Sequence, residues 1–147
     1  MTIKHQSVID AFITRLQTIT VVNGYSSDIG NNVSDWNLSK SIIDELPRVT
    51  VRDNDEITVT REIVGQFLWE MPIEIHIELK GETALADSRK IIDDVFQAIG
   101  TDITFGGLVD ILEPGSFYMV GAQDEKKVFE IFFRFTATFQ TTEWSST

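Results

Sequence analysis

Two histidines, His5 and His76, are the only imidazoles in the chain, and there is no cysteine. His76 lies between Glu74 and Glu78 in an alternating run, so the three side chains share one face of a strand. Carboxylates beside an imidazole can shift its titration and make an acid–base pair. The plainer reading is a solvated strand face. The missing cysteine excludes thiolate zinc sites, iron–sulfur clusters and Cys nucleophiles, and no His-Glu-x-x-His spacing occurs. A metal site would have to rest on carboxylates.

The other carboxylate groupings offer less. Asp53, Asp55 and Glu56 resemble the start of a calcium loop, but Thr58 stands where that loop needs glycine and Val64 where it needs glutamate. A solvated hairpin tip accounts for them, because turns favour Asp and Asn. Asp93 and Asp94 are adjacent on a helix, about 100° apart, and read as ordinary helix surface. Phe105-Gly106-Gly107-Leu108 lacks the Lys-Ser/Thr of a phosphate loop and reads as a tight turn. The aromatic run Val128 to Phe139 lacks the glycine and leading basic residue of an RNA-binding sheet. No catalytic residue, metal or cofactor is expected, and the chain reads as a non-enzyme.

The elements that position these residues follow from periodicity. Ser7 to Ile19 has the apolar spacing of a one-sided helix, with Ser7 and Asp10 as a capping box. Thr20 to Glu45 reads as a long loop carrying Tyr25, Asp28 and Trp36, above the usual length for a connector. Arg48 to Arg52 and Ile57 to Thr60 flank an Asp-Asn-Asp turn and predict a hairpin. Phe67 to Leu79 alternates strictly, with Pro72 on its polar side predicting an edge or a bulge. Thr83 to Ile99 predicts a second helix capped by Gly100. Three strands follow, at Leu108–Leu112, Phe117–Val120 and Val128–Gln140, the first two separated by a Pro114-Gly115 turn.

This order predicts an α+β fold: one domain over 1–147, an antiparallel-rich mixed sheet with two helices packed on one face, and a frayed tail at 141–147. The expected core is Phe12, Leu16, Ile73, Ile75, Ile77, Ile91, Val95, Phe133 and Phe135. At 147 residues the chain can hold a core without disulfides or metal. Its net charge of −11 opposes phosphate-neutralising nucleic-acid binding and adhesion to anionic membranes. The N-terminus lacks the apolar stretch of a signal peptide, no run is long enough to span a bilayer, and the sequons at Asn32 and Asn37 read as chance.

The run Asn23-Gly24-Tyr25-Ser26-Ser27-Asp28-Ile29-Gly30-Asn31-Asn32-Val33, followed by Glu45-Leu46-Pro47-Arg48-Val49-Thr50-Val51, resembles phage tail terminator (tail completion) proteins. The strand-to-helix unit Pro72 to Ile99, Gly106-Gly107 ahead of a strand and the final strand Phe129 to Thr142 fit the same pattern, so the resemblance covers nearly the whole chain. It implies a structural virion protein at the head-proximal end of the tail, made in the host cytoplasm. Such a protein forms a homo-hexameric ring that caps the tail tube protein, stops polymerisation and provides the docking surface for the head completion or connector protein. DNA would pass through the ring without specific binding. Six copies at −11 would carry −66, a charge that keeps DNA from sticking. The expected interface residues are Tyr25, Asp28, Trp36, Asp53, Asp55, Glu56 and Trp69. Contacts with neighbours are expected from the loop Asn23 to Asp44, the hairpin around Asp53 to Thr60 and the outer strands. Glu70, Glu74 and Glu78, or the acidic tip Asp53 to Glu56, are expected to face the channel. A head–tail joining ring protein and a stand-alone acidic binding module of a bacterial host are the alternatives.

Overall fold

A computed structural model describes residues 3–36, 45–80, 84–121 and 128–144. The first helix, α1 (Lys4–Gln17), buries Val8, Ile9, Phe12 and Leu16, a stripe recurring every three to four residues. It begins one turn earlier than the sequence predicts. Ile3 is its N-cap and offers no side-chain bond, while Ser7 Oγ donates to the Ile3 carbonyl, so the expected capping box does not form. Two 3-10 turns, Val21–Asn23 and Ile29–Asn31, then lead into β1 (Val33–Asp35). The sequence predicts loop there. Three residues carry too little alternation to reveal it. Part of the expected loop, 37–44, lies outside the described residues.

The remaining strands are β2 (Arg48–Arg52), β3 (Thr58–Ile63), β4 (Gln66–Lys80), β5 (Ile111–Val120) and β6 (Val128–Thr142), with α2 (Ala84–Gly100) between β4 and β5. They form one six-stranded mixed sheet in the order β1-β2-β4-β6-β5, with β3 also on β4. Only β1 and β2 are parallel. The fold is α+β, with two α-helices and a mostly antiparallel sheet among the described residues.

The predicted hairpin between β2 and β3 is absent. Both strands pair with β4, β2 along Glu74–Glu78 and β3 along its first residues, and the true hairpin is β3–β4, closed by Val64 and Gly65. Gly65 adopts φ +92°, which a turn of this kind requires of glycine. Pro72 falls opposite the gap between β3 and β2, where among the described residues β4 has a strand neighbour only on the β6 side. A residue without an N–H fits such a local edge. Pro114 and Gly115 do not divide two strands either: β5 runs through them with a bulge before Phe117. A Cβ on Gly115 would stand 3.0 Å from the Arg134 carbonyl oxygen, which explains glycine there.

Odd-numbered residues of β4 and β6 supply the core. Met71, Ile73, Ile75, Ile77, Ile131, Phe133, Phe135 and Phe139 are buried in one cluster with Phe12 and Leu16 of α1 and Ile91 and Val95 of α2. All nine expected core residues are in it. Each such isoleucine is worth about 2–5 kcal/mol against truncation to alanine. We call the opposite side of the sheet the outer face.

Candidate functional site

The even-numbered residues of β4 meet β2 and β6 in register on the outer face, which assembles rows of polar side chains. Arg48, Glu78 and Glu130 form one row, Thr50, His76 and Phe132 the next, and Arg52, Glu74 and Arg134 a third. Arg48 Nε donates to Glu78 Oε1 at 2.6 Å, and both side chains are buried. Arg52 approaches Glu74 at 3.6 Å, and Asn54 Nδ2 donates to the same carboxylate at 2.9 Å. The expectation of a solvated face is corrected here: Glu74, His76 and Glu78 are 5%, 7% and 3% exposed. Arginines from β2 lie across them, and charges this buried require partners. Glu70, farther along β4, is exposed.

His76 is fixed in one tautomer. Arg52 Nη2 lies 3.1 Å from His76 Nδ1 and can only donate, so Nδ1 accepts and Nε2 carries the proton toward Glu130 Oε1, also at 3.1 Å. His76, Glu78 and Glu130 bring potential metal-ligand atoms within 4.8 Å of one another. The donor set fits a divalent ion poorly. Metal on Nε2 needs the ring proton on Nδ1, where Arg52 donates, and Arg48 already holds Glu78. The imidazole also stacks on Phe132 with centroids 4.3 Å apart, and Phe132 stacks on Tyr118 at 4.8 Å. The ladder is a buried polar network in which Thr50 Oγ1, Ser34 Oγ and Arg52 Nε have no hydrogen-bond partner among the described residues.

Asp53, expected at an exposed tip, is instead a half-buried junction. Its two carboxylate oxygens accept from Trp36 Nε1 and from His5 Nε2, the latter at 2.7 Å, so α1, the end of β1 and the end of β2 converge on one side chain. Burial raises its pKa, but the bonds from Trp36 and His5 outweigh it and hold the carboxyl below its ordinary range. Trp36 adopts φ +44°, an uncommon backbone for tryptophan. A cavity of about 230 Å³ opens beside this junction, lined in part by Ile9, Asp35 and Trp36. Asp55 is exposed and pairs with Arg134 at 3.0 Å, and Glu56 is exposed.

The loop after α1 folds onto both helices. Asp94 of α2, expected on the surface, is 2% exposed and accepts from Ser26 N at 3.0 Å and Ser27 Oγ at 2.6 Å. Asp28 Oδ1 accepts from Val21 N, and Tyr25 packs against the core. Asn32 Nδ2 reaches the Glu45 carbonyl at 3.0 Å, next to the cis Leu46-Pro47 bond. Gly30 sits so close to α1 that a Cβ would lie 2.6 Å from the Gln17 carbonyl oxygen. A cavity of about 440 Å³ lies between this loop and α2, lined by apolar Ile29, Pro47, Leu79 and Ile91 and by charged Asp28, Lys80, Asp87 and Lys90. Trp69 faces inward: it stacks on Phe139 at 5.7 Å and donates to Thr141 Oγ1 at 2.8 Å, which removes it from the exposed residues.

No protein-family model matches the chain, and no curated protein matches it. Among the described residues, no helix is long and apolar enough to cross a membrane.

Sequence reasoning missed Asp94, Arg48 and Arg52. The signal for Asp94 was its place beside Val95 and three residues after Ile91, on the apolar stripe of α2. For the arginines it was alternation with the buried Val49 and Val51 in a strand that pairs with a glutamate-bearing one.

Proposed function

We propose that this protein is a structural subunit that rings the end of a phage tail tube, stops its growth and offers a docking surface to the head connector. One observation carries the reading: among the described residues β5 pairs with β6 alone, which makes it an edge strand, and it exposes Ile111, Phe117, Tyr118 and Met119 at 40–54%. That edge is apolar at Ile111 and over Phe117–Met119 and is interrupted between them by Pro114 and the bulge, so its two apolar ends are what it offers as a template for pairing with another chain. The sequence resemblance to tail terminators supplies the kind of assembly. Its loop residues serve structure: Gly30 allows the close approach to α1, and Ser26, Ser27 and Asn32 tie the loop to its neighbours.

Of the acidic residues expected to face a channel, Glu70 is exposed and has no ion-pair partner among the described residues, whereas Glu74 and Glu78 pair with arginines. The repulsion that lets DNA pass is therefore assigned to Glu70 and to the net charge of the assembly. Light scattering across concentration, with negative-stain imaging of the same samples and of samples mixed with tail tubes, tests the reading. Rings of six around an open channel, or caps on tube ends, are expected; protein that stays monomeric and leaves tubes bare overturns it. A head–tail joining ring would bind the head connector and leave tube length unchanged. The 440 Å³ cavity favours the second reading, a stand-alone acidic binding module, which a monomer with a saturable small ligand would establish.

A further inference from the structure

We propose that copies of this protein join by strand addition, the outer edge of β5 in one copy pairing antiparallel with the outer edge of β3 in the next. This rests on the ring reading and names the surface that closes the ring. The two edges lie on opposite sides of the sheet, since β3 pairs one side of β4 and β5 lies beyond β6 on the other. A contact between two different patches is the kind that builds rings rather than isolated two-fold dimers.

Strand direction selects the pairing. The ladders β3–β4, β4–β6 and β6–β5 are all antiparallel, so β5 and β3 run in opposite directions within one copy. In a cyclic assembly whose copies all point the same way, β5 meets the neighbour's β3 antiparallel, the stronger arrangement. Both edges also expose apolar side chains on each face. On the helix side β5 exposes Phe117 and Met119 and β3 exposes Val59; on the outer face β5 exposes Ile111 and Tyr118 and β3 exposes Ile63. With the strand middles aligned, continuing the sheet puts Val59 opposite Phe117 on the helix side, and on the outer face Thr58 opposite Tyr118 and Ile63 opposite Glu113.

The two edges are also staggered. A single row, Thr58–Glu70–Thr138–Ile111, joins them; from it β3 extends toward the start of β4 and β5 toward its end. The middle of β3 lies level with Leu68 and the middle of β5 level with Glu74. That offset of six residues is about 20 Å along the strands, taken up over four strands of about 19 Å total width. The resulting slope, about 45°, is at the upper end of the 35–45° tilt at which sheets close into barrels. The stagger that would prevent pairing between upright copies is the one a tilted, closed ring requires.

Edge variants on both sides test this. I111K/M119K charges the β5 edge and V59K/I63K the β3 edge, at exposed positions, and unchanged circular dichroism and Tm establish that each still folds. Each variant alone is expected to lose ring formation, with association weakened roughly tenfold or more. Each also keeps one intact edge, so mixing the two gives a 1:1 heterodimer of twice 16.6 kDa that grows no further. A V59K/I63K variant that forms homodimers through β5 overturns the head-to-tail pairing. A wild-type ring whose two variants still close into rings overturns the pairing and leaves the ring reading standing. A wild type that forms no ring, in solution or on tubes, overturns both.

Discussion

Arg48 and Arg52 determine what the polar face of β4 becomes. Without them, Glu74 and Glu78 would be two acidic groups on one strand face; with them, the same carboxylates are held among their neighbours, 5% and 3% exposed. Removing one partner of a buried pair leaves a charge with nothing to offset its desolvation. Arg48→Ala is therefore expected to cost about 3–5 kcal/mol, read by urea unfolding, and Arg48→Met with Glu78→Leu to recover most of it. Asp53 gives a prediction in pH. Because folding lowers its pKa, its contribution is complete above the ordinary value of 3.8 and fades as pH falls through its own lower value. In a variant with Trp69 and Trp144 replaced by phenylalanine, Trp36 emission should hold steady down to that ordinary value and change below it. Asp53→Asn should shift the transition.

At the scale of elements, Gly30 is the sharpest test of how the long loop is held. Gly30→Ala drives a methyl into the carbonyls of Leu16 and Gln17, backbone atoms that cannot swing away. A loss of about 1–3 kcal/mol is expected, seen as a lower Tm, together with faster amide exchange over Ile29–Asn31. The long elements were legible in the sequence. The helical period of α1 and α2 and the alternation of β4 and β6 each extend over enough residues to stand out, and every expected core residue came from them. Short and non-local features were not legible. β1 spans three residues, and Asp53-Asn54-Asp55 makes only a bend at Asp55 and leads to a strand that pairs elsewhere on β4. Alternation marked Glu74, His76 and Glu78 as polar; only the cross-strand register shows that β2 lays arginines over them.

The whole molecule is acidic enough for charge to oppose its own assembly. Each copy brings −11, and copies drawn into a ring lie within a few Debye lengths of one another at low salt. Screening should favour association, so the apparent dissociation constant is expected to fall between about 20 and 300 mM salt. Protein–DNA binding has the opposite salt dependence, weakening as salt rises. Sedimentation equilibrium over that range reads the sign directly, and association that weakens with added salt would point to an interface built on attractive ion pairs. Glu70→Lys should leave subunit folding unchanged, since the side chain is exposed, while increasing retention on immobilised DNA.

The two flanks of β4 differ in how far apart their partners lie along the chain. On one flank, β3 is joined to it by Val64 and Gly65 alone; on the other, Gln66 pairs with Thr142 and Lys80 with Val128, so the whole of α2 and β5 lies within the loop that must close. Closing short loops is fast and closing long ones is slow. The β3–β4 hairpin should form within microseconds of the start of folding, and β6 should dock in milliseconds to seconds. During that interval the apolar side of β4, from Met71 to Leu79, has no β6 beside it. Nascent copies are most prone to aggregate in this window, and a surplus of negative charge on every chain keeps them apart until the last strand arrives.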